Sequence, residues 1–138
     1  LYRADPEDAL YRQQLELWEP LVLACEARRG VSFQRVSGII HRAQPEPTLG
    51  KLRDEMRQLD RFTLTALEPL ASIAASLIVA LAVLEDGSDP ATLFAAAHLE
   101  ADWQTRQWGD DAEASAVRAL RLAAFATVAS FARAARAA

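Results

Sequence analysis

The sequence predicts an all-α protein, a bundle of about six helices around one central apolar helix over residues 70–84. Three observations carry this. The run LASIAASLIVALAVL is uncharged, and its large residues Leu70, Ile73, Leu77, Leu81 and Leu84 recur at the three- and four-residue steps of one helical face. A cap followed by proline, the usual start of a helix, occurs at Asp5-Pro6 and again at Asp89-Pro90. Alanine, the best helix former, is abundant, while period-two alternation appears only in the short stretch from Val31 to Val36.

Taken in order, Asp5-Pro6-Glu7-Asp8 starts a first helix that passes Leu10, Gln14, Leu17 and Trp18 and stops at Arg29-Gly30. Pro20 removes one ladder hydrogen bond, so Trp18-Glu19-Pro20 marks a kink or the junction of two helices. Val31 to Val36 reads as an extended connector, too short to establish a sheet, and Gly38, Pro45 and Pro47 keep the chain irregular up to Thr48. Thr48 then caps a helix over 49–59 that buries Leu49, Leu52, Met56 and Leu59. Asp60 caps a short turn through Phe62, Leu64 and Leu67, and Pro69 opens the central helix, which Glu85-Asp86-Gly87 ends. In the central helix Ser76 is expected to bond back to a carbonyl. Asp89-Pro90 begins a helix through Leu93, Ala96, Glu100, Trp103 and Gln104 to Trp108-Gly109. Asp110-Asp111 starts the last one, where Val117, Leu120, Ala124, Val128, Phe131 and Ala135 form the apolar stripe.

A chain of 138 residues is long enough for one domain with one core. It opens at Leu1 without a signal-peptide pattern and reads as a piece of a longer chain. A net charge of -4 gives no drive toward nucleic acid or acidic membrane surfaces. Spanning a bilayer needs ~20 apolar residues, and the run from Leu70 stops sooner, so no membrane insertion is expected. The lone Cys25 has no internal disulfide partner and behaves as a small buried hydrophobe.

Catalytic motifs are absent. His98-Leu99-Glu100 lacks the Cys-x-x-Cys that a zinc deaminase pairs with it, and Gly38 and Ala95 stand where a di-iron bundle places Glu before each His. No glycine loop suits a phosphate, so no enzyme, metal or cofactor is expected. Two constellations remain as candidate partner-binding residues. One is Gln14 with Trp18, Glu19, Pro20 and Leu21, which a tryptophan packed at a helix kink also explains. The other is Glu100, Asp102, Trp103, Gln104 and Trp108. Glu100, Trp103, Gln104 and Trp108 share one face, which a structural hydrogen-bond network would also produce.

In the order in which they occur, these residues resemble the C-terminal helical part of the ATP12 family, the assembly chaperones of the F1 sector of ATP synthase. The resemblance runs through Trp18-Glu19-Pro20-Leu21, Gly38-Ile39, Gln44-Pro45, Leu59-Asp60, Phe62, Leu64-Thr65-Ala66-Leu67, Ser76-Leu77, Leu81-Ala82, Leu99-Glu100, Trp103-Gln104 and Trp108-Gly109. The chain departs from it at Glu19, where Asp is usual, at Ala24, where a second Trp is common, at Ala75, where Gly often precedes the serine, and at Ala101, where a second acid follows Glu100. The resemblance implies a single helical domain over 1–138, the C-terminal domain of a longer chain whose β-rich N-terminal domain is missing. It implies a non-catalytic chaperone that binds the unassembled F1 α subunit and prevents its aggregation before assembly with β. The site would be the bacterial cytoplasm, or the mitochondrial matrix in a eukaryote. The alternative is a soluble helical small-ligand or enzyme module using the Glu100/Trp103 face, for which Glu100 would have to be enclosed in a pocket.

Overall fold

The computed structural model describes residues 1–138, which divide into two compact units, Leu1–Leu59 and Asp60–Ala138. Helices dominate both.

In the first unit the opening cap lies three residues later than expected. Asp8, not Asp5, accepts from the Leu10 N–H at 2.9 Å and starts α1 (Ala9–Leu17). Trp18 is the junction to α2 (Glu19–Arg29), and Pro20 sits in the first turn of α2, where its missing N–H leaves no bond unmade. Gly30 ends α2 in the left-handed conformation at φ 61°, which a side chain would strain. The connector is extended as expected, and its end adds a two-residue parallel pairing of β1 (Tyr2–Arg3) with β2 (Val36–Ser37). Helix α3 (Glu46–Gln58) begins before Thr48, because Pro47 is tolerated in a first turn. Thr48 is therefore no cap. It is buried inside α3, where its hydroxyl donates to the Ser32 carbonyl at 2.7 Å.

The second unit corrects the central helix. Asp60 caps α4 (Arg61–Ala74) as expected, accepting from the N–H groups of Phe62 and Thr63, but α4 continues past Pro69, which lies inside it. Residues 70–74 are its last turn, and α5 (Leu77–Val83) is a separate helix. The break is at Ala75, whose φ of 50° is left-handed, and Ser76, whose Oγ accepts from the Val79 N–H at 3.2 Å. Periodicity registers burial on both sides of such a break and does not register the break itself. Serine's local bond to a free N–H competes with the helical ladder, and here it wins as a cap.

The helix expected to reach Trp108 from Pro90 is likewise two, α6 (Pro90–Ala97) and α7 (Leu99–Trp108), separated at His98. Asp111 caps α8 (Ala112–Ala137). Helix α4 packs along α8, α5 packs against α4 and α6, and α6 packs against α8. Leu70, Ala80, Leu81, Val83, Phe94, Phe125, Ala129 and Ala132 are buried almost completely. The stripe expected on α8 is turned. Phe125, Ala129 and Ala132 face inward, while Val117 (49 %), Leu120 (72 %) and Phe131 (46 %) are exposed. Alanine on every side of α8 lets the apolar period fit two faces, and packing against α4 selects the narrower one. By length and composition alone α8 could cross a membrane.

Leu81→Ala is expected to lower stability by ~2–5 kcal/mol, since a buried leucine leaves a cavity that a packed core closes only in part. Chemical denaturation of parent and variant measures it. Ala75→Gly should act in the opposite direction and stabilise by about 1 kcal/mol, because glycine carries no penalty at a left-handed helix end and Ala does. A lower melting temperature for this variant would show that Ala75 is unstrained.

Candidate functional site

The two candidate constellations lie in different units. In the first, the chain brings two arginines to the α1–α2 junction, Arg3 from β1 and Arg35 from the connector just before β2. Arg3, almost fully buried, donates to Glu19 Oε2 at 3.0 Å and lies 5.2 Å from the Trp18 ring. Arg35 Nη2 donates to Glu19 Oε1 at 2.6 Å, while its Nη1 donates to Glu26 Oε1 at 2.5 Å and to the Phe33 carbonyl at 2.8 Å. Gln14 is fully buried and its Oε1 accepts from the Ala4 N–H at 2.8 Å, which holds the N-terminal segment on α1. Trp18 and Glu19 are thus engaged within the chain. The hydrogen bond from Arg35 holds both Glu19 and Glu26 below the ordinary glutamate range, against the opposing effect of desolvation.

In the second unit the site is α7. Leu99 is its one buried residue, so the helix presents most of its length to solvent. Glu100, Gln104 and Trp108 are exposed at successive four-residue steps, and Trp108 is 88 % exposed. Trp103 is half-buried, with the Arg106 guanidinium 5.7 Å from its ring. Asp102 turns the other way. It accepts from Arg118 Nε and Nη2 of α8, both at 2.7 Å, in a two-pronged pair. This pair sits in an open groove between α7 and α8, lined by Ala101, Thr105, Val117 and Arg121 among others. His98, at the pivot between α6 and α7, stacks on Phe94 with centroids 3.8 Å apart, and its Nδ1 pairs with the Phe94 carbonyl at 3.0 Å. Burial lowers its pKa and favours the neutral imidazole.

The structure therefore keeps Glu100, Gln104 and Trp108 together on an open face and assigns Asp102 to a contact inside the chain. Sequence reasoning missed Arg118. It is sixteen residues from Asp102, beyond any helical spacing, and only the fold of α8 beside α7 joins them. No three His, Cys, Asp or Glu side chains converge as a metal site would need.

No family model matches the chain. Among curated proteins it is similar to "Protein atp12, mitochondrial" of Schizosaccharomyces pombe, with 30 % identity over 106 residues, covering 75 % of this chain and 36 % of that protein. Among solved structures it is similar to Atp12 from Paracoccus denitrificans, with a TM-score of 0.89, 38 % identity, and coverage of 96 % of this chain and 57 % of that one. A mutant of the same Paracoccus protein gives a TM-score of 0.91 at 37 % identity, over 97 % of this chain and 57 % of that one. A putative chaperone from Agrobacterium tumefaciens gives 0.85 at 31 % identity, over 96 % and 50 %. The chain thus spans little more than a third of the curated relative and about half of the solved ones.

The charge network of the first unit sets an expected pH dependence. Glu19 and Glu26 titrate lower when folded than the ordinary value of 4.5, so their contribution to stability is complete above that pH. It is lost as pH falls through their lowered folded values. Denaturation midpoints should be level near neutrality and fall below about pH 4.5, and Arg35→Met should flatten that fall. An equally steep fall in the variant would assign the acid sensitivity elsewhere.

Proposed function

The chain belongs to the ATP12 family, and from that premise we propose that it is the helical part of an F1-ATPase assembly chaperone, one that binds the unassembled α subunit and prevents its aggregation before assembly with β. The reading takes the chain as the C-terminal domain of a longer protein with a β-rich N-terminal domain, acting in the bacterial cytoplasm or, in a eukaryote, in the mitochondrial matrix. It assigns no catalysis and no cofactor.

The observation that carries the site is the exposure of α7. A tryptophan left 88 % in solvent buries no core and is available to a partner, and Gln104 and Glu100 precede it by one and two helical steps with an amide and a charge. Exposed Val117, Leu120 and Phe131 on α8 add apolar surface of the kind that a chaperone offers to an aggregation-prone client. The competing ligand-binding or enzyme module needs Glu100 enclosed, and its exposure favours the chaperone reading. Glu100, Trp103, Gln104 and Trp108 are the proposed contacts. Asp102, Trp18 and Glu19 contribute through the local structure that they hold.

The test is light scattering of isolated α subunit with and without the chain, repeated with the family's full-length form. The parent should suppress aggregation. Trp108→Ala should weaken capture about tenfold, as loss of an aromatic anchor does, while melting stays within ~0.5 kcal/mol. Glu100→Gln should weaken capture with its helical content unchanged. Full suppression by both folded variants would remove α7 from the binding surface.

A further inference from the structure

We propose that Arg118 is a positioning residue: by gripping Asp102 and lying over Phe94 it sets the direction of α7, and so aims the Glu100–Gln104–Trp108 face that the preceding reading assigns to the partner.

Helix α7 buries little of its own surface. Leu99 at its start is its one buried residue, and the helix follows His98, where the backbone leaves the helical path of α6. Its far end, which carries Trp108, runs through Gly109–Asp111 into α8, and a contact along the helix fixes its direction between these two joints. That contact is Asp102, one turn on, held by Arg118 Nε and Nη2 at 2.7 Å each. The same guanidinium lies 5.2 Å from the centre of the Phe94 ring on α6. Phe94 in turn stacks on His98 at 3.8 Å and meets Phe125 of α8 at 5.8 Å. One side chain of α8 therefore ties α7 to α6 on both sides of the pivot. Arg118 is itself well founded, since α8 packs along α4 with Phe125, Ala129 and Ala132 fully buried.

The chemistry requires arginine. Two parallel N–H bonds fix the angle between donor and carboxylate, and the flat guanidinium covers an aromatic face, whereas a lysine ammonium is a point charge that does neither. The pair is also about one-third exposed, Arg118 at 37 % and Asp102 at 30 %, so solvent screening keeps its share of global stability small. Its effect is on the orientation of α7 and not on whether the unit folds.

The experiment measures two quantities on the whole chain carrying Arg118→Lys, Arg118→Gln, or the exchange Asp102→Arg with Arg118→Asp. Amide hydrogen exchange of α7 needs no partner and reads the hold on the helix; suppression of α-subunit aggregation reads its consequence. Both single variants should speed exchange in α7 about tenfold, leave α4, α5 and α8 protected, and weaken capture. The charge exchange should restore both in part. Unchanged α7 exchange in Arg118→Gln would overturn the proposal, and so would faster exchange with capture intact. Restored protection without restored capture would overturn it too, because the partner would then read the Asp102 carboxylate directly. Should the parent chain capture no α subunit, the chaperone reading falls, while faster α7 exchange in the variants would still support the hold of Arg118 on α7.

Discussion

Close packing of α8 on α4 is the constraint on which the second unit depends. Ala129 and Ala132 on α8 and Ala66 and Ala74 on α4 carry no bulk beyond a methyl group, which lets helix backbones approach, and Phe125 and Leu70 supply the apolar area. Once α8 is fixed, its arginines become anchors for what lies around it. Arg118 holds α7 through Asp102. Arg136 donates to the Leu84 carbonyl at the end of α5, and Arg133 donates to the Ser88 carbonyl before α6. These last carbonyls of a short helix and its following turn have no partner within their own ladder, so the long helix satisfies what the short one leaves open.

The first unit is organised differently. Its helices α1 and α2 have weak apolar faces, and Leu15, Leu17 and Leu23 are exposed. What holds the segment is polar and local in space: Gln14 to the Ala4 N–H, Thr48 to Ser32, and Arg35 shared between Glu19 and Glu26. Such a network specifies one arrangement closely, because every buried donor without its acceptor is costly. It also makes this unit responsive to acid, since carboxylates must stay ionised to accept from Arg35.

Placement of the candidate site on α7 follows from the same contrast. A helix with one buried residue contributes little to a core, and its Trp108 stands in solvent. The core of this unit comes from α4, α5, α6 and α8, and the proposed partner-facing surface is carried by α7, which buries one residue. A charge change on α7 can therefore alter recognition without unfolding the unit that bears it.

The sequence by itself determined the class of structure, the helix starts at Asp60, Asp89 and Asp111, and the shared face of Glu100, Gln104 and Trp108. Asp60, Asp89 and Asp111 cap helices where their position before an apolar period says they should, and Gly30 closes one, because these effects reach only three or four residues along the chain. Glu100, Gln104 and Trp108 share a face for the same reason, helical spacing being a local property. The tertiary structure alone decided where the long apolar run breaks, which face of α8 is buried, and what Asp102 is for. Ala75 and Ser76 look helical in sequence since their neighbours are apolar on both sides, and only packing of α5 across α4 and α6 favours a turn there. Val117, Leu120 and Phe131 satisfy the helical period as well as Phe125, Ala129 and Ala132 do, and close approach to α4 distinguishes them. Asp102 meets Arg118 across a turn and two helix axes, a juxtaposition set by the fold and unreadable from spacing.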